Sequence, residues 1–178
     1  MNSNTRIEDI GDCIREGRRP AEDGPYRIRT GDENLEFAAT IIADPVPTGR
    51  QIIEAAGHRK AEDHLVFQLL PNGELEELRL EETTDLREAR AERFLIFRSA
   101  DSFRFDLDGK RLEWGCGVVS GRVLKRLAGV DPARFGVWQE VRGEDDRPIA
   151  DDELVRLDEA GLEHFFTGIV ETTEGGSR

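Results

Sequence analysis

The chain has 178 residues, a formal net charge of −13, and 35% charged against 37% hydrophobic residues. That length suits one medium domain or two small ones. The acidity, with no basic stripe to offset it, argues against nucleic-acid binding through phosphates, and apolar runs such as Leu65-Val66-Phe67 are far too short to span a membrane.

Cys13 and Cys116 are far apart, with neither metal-like nor redox spacing, and the first residues contain no apolar signal-peptide core. Both features fit a reduced, cytoplasmic protein. An acidic surface favours solubility and basic partner proteins.

Residues 1–25 are polar and charged and read as a flexible leader. Ile7, Ile10 and Ile14 keep helical spacing, so a short amphipathic helix, or a segment that folds on a partner, is the other reading. From Tyr26 the pattern turns to strands. Tyr26 and Ile28, then Leu35 and Phe37, alternate with polar residues around Gly31-Asp32-Glu33-Asn34, which predicts a hairpin. The second strand continues through Ala38 to Ala43 and stops at Asp44-Pro45-Val46-Pro47, because proline cannot donate to a sheet ladder. Thr48 and Gln51 have the spacing of a capping box. Ile52, Ile53 and Ala56 supply the helix with an apolar face, and Gly57 terminates it. Leu65 to Leu70 is an apolar strand, Asn72-Gly73 a tight turn, and Leu75, Leu78 and Leu80 belong to the return. Asp85-Leu86-Arg87-Glu88 predicts a capped single turn, and Arg93 to Phe97 a buried closing strand.

The order then repeats. Phe103, Phe105 and Leu107 alternate, Asp108-Gly109 turns the chain, and Leu112, Trp114 and Cys116 alternate on the way back. Cys116 falls on the side of Trp114 and reads as a core cysteine rather than a nucleophile. Ser120 opens a helix that ends at Ala128-Gly129, Gly136 to Val141 is a strand, and Arg147-Pro148-Ile149 and Leu154 to Leu157 supply further elements before Leu162 to Phe166 closes the unit. Two stretches make the duplication explicit. Thr48-Gly49-Arg50-Gln51-Ile52-Ile53 to Ala56-Gly57 matches Ser120-Gly121-Arg122-Val123-Leu124 to Ala128-Gly129 without a gap. The segment Leu86 to Phe94 matches Leu157 to Phe165, with leucine, Glu-Ala, glutamate and phenylalanine at identical spacing. The predicted fold class is α+β: two tandem domains at residues 26–98 and 99–168, each a mixed sheet with one helix packed on it. The short junction around Arg98-Ser99-Ala100-Asp101 limits their relative orientations.

Candidate chemistry is sparse within the domains. His58, His64 and His164 are scattered and read as ordinary surface or interface histidines. The acidic runs Glu144-Asp145-Asp146 and Asp151-Asp152-Glu153 lack the ligand alternation and the glycine of a calcium loop, so they read as solvated loops. No metal site is expected in this chain. Residues 169–178 read as a flexible tail, and from Gly168 to Glu174 no partner strand is evident. The tail carries Gly175-Gly176, a pair without β-carbons that can enter a channel too narrow for any side chain and adopt almost any backbone conformation.

The order strand, strand, helix, strand, strand, turn, strand is that of the ubiquitin β-grasp. With the duplicated Gly49-Arg50 and Gly121-Arg122 helix starts, the Ala56-Gly57 and Ala128-Gly129 helix ends, and the Glu92-Arg93-Phe94 and Glu163-His164-Phe165 closing strands, the chain resembles the bacterial multiubiquitin family. These are tandem ubiquitin-like proteins encoded beside homologues of E1, E2 and JAB-type peptidases. The resemblance covers Tyr26 to Thr167 and the tail. It implies a modifier rather than an enzyme, conjugated through Gly176 after a JAB-type peptidase cuts between Gly176 and Ser177. An E1-like activating enzyme and an E2-like conjugating enzyme would carry the modifier to lysines of target proteins through an isopeptide bond, in the setting of antiphage defence. ATP and zinc would be cofactors of those partners, with none held by this chain. Glu171 and Glu174 make the tail acidic, so the resemblance implies basic complementary residues on the E1-like partner. Copy one runs from Phe97 into Arg98-Ser99-Ala100-Asp101-Ser102 without Gly-Gly, so no processing between the copies is expected. Two other readings remain: a tandem β-grasp scaffold that binds partners without being conjugated, and a sulfur carrier whose terminal glycine becomes a thiocarboxylate.

Overall fold

A computed structural model describes residues 5–170, in two units divided between Ser102 and Phe103.

In the first unit, β1 (Glu8–Asp9) leads directly into α1 (Ile10–Glu16), followed by β2 (Tyr26–Gly31), β3 (Phe37–Ile42), α2 (Gly49–Ala55), β4 (Leu65–Leu69), β5 (Leu75–Glu77), a 3-10 turn at Leu86–Glu88 and β6 (Arg93–Phe97). The main sheet runs β3-β2-β6-β4-β5, with β6 parallel to β2 and the other neighbours antiparallel. Local signals account for the ends of its elements. The Thr48 hydroxyl accepts from the Gln51 N–H at 3.2 Å while the Gln51 side chain accepts from the Thr48 N–H at 2.7 Å, which completes the capping box. Gly57, at φ +92°, follows the last helical turn. Asp85 caps the 3-10 turn by accepting from the Arg87 N–H at 3.0 Å. Leu35 falls outside the strand expected to contain it. It is a buried turn residue at φ +56°, and β3 starts at Phe37.

The helical reading of residues 1–25 is the one the structure shows, and the helix is part of the first unit. β2 gives one whole edge to β3; on the other edge β6 pairs with Arg29 to Gly31, which leaves Tyr26 and Arg27 for β1. Asp9 caps α1 through the Asp12 N–H. Ile10 and Cys13 are fully buried, Ile10 in one cluster with Tyr26, Ile28, Ile52, Ile53 and Phe94. Glu8 ties the segment down from within: it pairs with Arg18 at 2.8 Å and accepts from the Ala21 N–H at 3.1 Å. The first unit therefore includes β1 and α1, ahead of Tyr26.

The second unit contains β7 (Phe103–Leu107), β8 (Lys110–Trp114), β9 (Val118–Ser120), α3 (Gly121–Ala128), β10 (Phe135–Gln139), β11 (Arg147–Ile149), β12 (Leu154–Arg156) and β13 (Glu163–Ile169). Its main sheet, β8-β7-β13-β10-β11, repeats the strand order of the first, again with the last strand parallel to the first. Phe105, Trp114, Leu124 and Phe165 fill its core, and the Trp114 indole N–H donates to the Val118 carbonyl at 3.1 Å. β9 and β12 form a separate two-stranded ladder that the sequence reading did not separate out. Cys116 is a correction: β8 stops at Trp114, the chain bends through Gly115-Cys116-Gly117, and Cys116 is only half-buried. Each unit is thus an α+β mixed sheet with one helix after its first hairpin, the ubiquitin-like β-grasp.

The two matched sequence stretches occupy matching places. Leu86 and Leu157 are both buried, as are Phe94 and Phe165. The Gly-Arg start of each helix sends its first free N–H groups to the segment that returns across the helix. Gly49 and Arg50 donate to the carbonyls of Glu82 and Leu80, and Gly121 and Arg122 to those of Glu153 and Asp151. These bonds satisfy donors that have no partner inside a helix.

Candidate functional site

Gly175, Gly176 and Ser177 lie outside the described residues. The structure shows the ground from which their segment departs, which is the end of β13. Here the sequence reading expected no partner strand after Gly168, whereas the ladder continues. Gly168 lies opposite Gly136, Ile169 opposite Phe135, and the Val170 N–H donates to the Arg134 carbonyl at 2.8 Å. The second flank of β13 is held as well. The Asp108 carboxylate accepts from the Thr167 N–H at 2.7 Å and from its hydroxyl at 2.8 Å, while the Asp108 N–H donates to the Phe165 carbonyl at 3.0 Å. Asp108 itself sits in the left-handed region at φ +50°, as the first residue of an Asp-Gly hairpin turn requires. The turn was legible in the sequence; its second duty as a clamp on β13 was not, because that bond joins residues far apart in the chain.

An apolar surface lies beside this strand end. Trp138 is directly opposite Phe166 in the ladder, and their rings stack with centroids 5.7 Å apart and planes 14° from parallel. The same face carries Gly136 and Gly168, and both lie beneath the indole. A β-carbon would stand 2.9 Å from the Trp138 ring at Gly136 and 3.1 Å at Gly168. Two glycines in register therefore open the space in which Trp138 lies flat. Ile169 and Val170 are 64% and 46% exposed, so the strand ends on open apolar side chains.

Glu144-Asp145-Asp146 is exposed, as expected of a solvated loop, whereas most of the other sequence candidates make contacts within the fold. His58 and His64, read as scattered, are brought together with ring centroids 4.8 Å apart. The left-handed backbone at Lys60 (φ +56°) makes this approach, and the Lys60 carbonyl lies 3.0 Å from His64 Nδ1. Partial burial, then the neighbouring His64, holds the His58 pKa below the usual imidazole range. His164, at the start of β13, faces Asp106 at 3.2 Å. The Arg111 guanidinium beside Asp106 holds that carboxyl below its ordinary range. In the acidic run Asp151-Asp152-Glu153, Asp151 pairs with Lys125 at 2.6 Å, and Glu153 accepts from the Ala150 N–H and pairs with Arg147. Among the described residues, no group of three or more His, Cys, Asp or Glu is arranged to hold a metal ion. None of their helices is long and apolar enough to cross a membrane.

Two β-grasp units in succession, the second ending in a strand pinned on both sides, define a tandem ubiquitin-like protein. The sequence profile of the multiubiquitin family matches residues 34–99 and again 103–168, and the chain belongs to that family. Each match lies within one structural unit; the first begins after β2, and the second begins with β7. No curated protein matches the chain.

Proposed function

We propose that this protein is a bacterial ubiquitin-like modifier that is conjugated to target lysines through Gly176. The observation that carries the reading is positional: Gly175-Gly176 follows β13 of the second ubiquitin-like unit after only residues 170–174. Membership of the multiubiquitin family and the duplicated fold support it.

In this reading a JAB-type peptidase, with a zinc-activated water as nucleophile, first hydrolyses the peptide bond between Gly176 and Ser177 and releases Ser177-Arg178. An E1-like enzyme then joins the freed Gly176 carboxylate to the AMP part of ATP, with loss of pyrophosphate. A cysteine thiolate of the same enzyme displaces AMP to give a thioester, and an E2-like cysteine takes over the acyl group. Finally the amine of a target lysine attacks the thioester carbonyl, forming the isopeptide bond and releasing the thiol. This chain supplies the acyl group and the recognition surfaces; ATP, zinc and the catalytic thiols belong to its partners. The first unit, whose β6 runs into Arg98-Ser99-Ala100-Asp101 without a Gly-Gly pair, stays attached throughout as a permanent second ubiquitin-like surface. The setting is cytoplasmic, and the family resemblance points to antiphage defence.

The test is co-expression with candidate E1-like, E2-like and JAB-type partners, followed by mass spectrometry of the terminal peptide and of lysine adducts. The expected products are a peptide ending at Gly176 and lysines carrying its mass. An intact Arg178 without adducts would instead identify a non-conjugated scaffold. Replacement of one terminal oxygen by sulfur would identify a sulfur carrier.

A further inference from the structure

The edge strands of the two main sheets are not alike. β5 carries Glu76 and Glu77, β8 carries Lys110, Arg111 and Glu113, and β11 carries Arg147 and Pro148. Charges and prolines of this kind stop an exposed edge from pairing with another chain. β3 has neither. Its sequence is Phe37-Ala38-Ala39-Thr40-Ile41-Ile42, and among the described residues it pairs with β2 alone. Ala38 and Ala39 are exposed, and Ile41 is 43% exposed. An antiparallel strand with one partner leaves every other pair of its backbone N–H and C=O groups pointing outward.

The ends of this edge are acidic. Glu33 and Glu36 precede it, Asp44 follows it, and all three are exposed. Three basic groups beside the edge are already engaged, while Arg59, Lys60 and Arg98 line one pocket with Glu33. Arg27, opposite Ile41, pairs with Asp9 at 3.5 Å; Arg29, opposite Ala39, pairs with Glu92 at 3.8 Å; and Arg93 lies over the Phe37 ring, 5.7 Å from its centroid.

We propose that β3 is a docking edge for an extended segment of a partner protein, one with apolar β-branched residues at its centre and lysine or arginine on both flanks. Such a segment would add to the sheet as a further strand, with main-chain hydrogen bonds supplying affinity and side chains supplying choice. Its central residues would lie beside Ala39 and Ile41, and its basic flanks beside Glu33 and Glu36 at one end and Asp44 at the other. A second copy of this chain fits poorly. Antiparallel pairing of two β3 strands sets Glu36 of one copy towards Asp44 of the other, and parallel pairing sets like carboxylates side by side. The proposal concerns the first unit and is independent of conjugation at Gly176.

The test is an amide-detected NMR titration of the full chain with the peptide Lys-Lys-Val-Ile-Val-Ile-Lys-Lys, and with its counterpart bearing Glu in place of every Lys. Shifts should centre on residues 36–43, and binding should weaken with added salt. The glutamate peptide should bind at least about tenfold more weakly, because charge complementarity selects between the two. Ile41→Lys should reduce binding to a similar degree. Glu36→Lys, which leaves the edge itself untouched, should weaken the lysine peptide specifically. Circular dichroism would establish that both variants are folded. Shifts centred elsewhere, equal binding of the two peptides, or dimerisation through β3 in sedimentation velocity without peptide would each overturn the proposal.

Discussion

Gly49 sits so close to the Arg79 carbonyl that a β-carbon there would stand 2.5 Å from its oxygen, and Gly121 stands in the same relation to Ala150. Neither glycine has a positive φ, so the requirement is for space. The returning segment passes over the helix start at hydrogen-bonding distance and leaves no room for a methyl group. Gly49→Ala and Gly121→Ala should each destabilise their own unit by about 1–3 kcal/mol, the usual cost of forcing extra volume into a packed site. Urea unfolding followed by fluorescence would measure this. Little change in either variant would show that the crossing segment can retreat at no cost.

The N-terminal helix should behave as part of the first unit. Ile10→Ala removes a fully buried side chain and should cost about 2–5 kcal/mol. Cys13 supplies a second measurement. Burial, then the bond to Glu8, pushes its thiol up to about 11, whereas Cys116 is half-buried at a bend. A thiol reagent at neutral pH should therefore label Cys116 first and reach Cys13 only when α1 opens. Equal labelling of both would mean that α1 is undocked.

Gly176→Ala should abolish lysine adducts in the co-expression experiment while leaving the thermal midpoint of the protein unchanged. In the proposed reaction the added methyl group would obstruct a partner's channel that only a glycine backbone fits. A lowered midpoint would assign the glycine a structural role.

The paired histidines predict a specific acid response. The folded pKa of His58 lies below its ordinary value, so between that lower value and about 6.5 the unfolded chain binds a proton that the folded chain refuses. Stability should fall as the pH drops through this window and level off below the folded pKa. The carboxylates held low by arginine, Glu8, Asp85 and Asp106, also lose stabilisation on acidification, but only as the pH falls below their unfolded values of about 4. Thermal midpoints of His58→Gln should lack the upper step and keep the lower one. An unchanged profile in the variant would remove His58 as its source.

What the sequence disclosed and what it hid divide along physical lines. Thr48 with Gln51, Asp85 with Arg87, and Asp108 with Gly109 were legible because each signal acts over three residues or fewer. Strand alternation at Phe105 and Trp114, and the repeat of Leu86 and Phe94 in Leu157 and Phe165, were equally open. Features that depend on distant partners were not. The docking of Ile10 needed the unclaimed start of β2's second edge. The approach of His58 to His64 needed a left-handed Lys60. The bond of Val170, just past β13, needed Arg134 in the turn before β10. Cys116 was misplaced because alternation was carried across a bend between two glycines. Of the candidate site, the Gly-Gly pair was visible at once, while the clamp at Asp108 and the Trp138–Phe166 surface emerge only when β7, β10 and β13 are side by side.

The bond from Val170 to Arg134 acts as a tether point, and a tether has a length. Residues 171–176 span at most about 20 Å when fully stretched. In the proposed reaction, a nucleophile that collects the Gly176 carbonyl would have to come within that radius of Val170. An activating enzyme of the kind proposed would meet the second unit near the end of β13, where Ile169 and Val170 are exposed and Trp138 stacks on Phe166. The short leash would make the choice of modifier a reading of the second domain's surface.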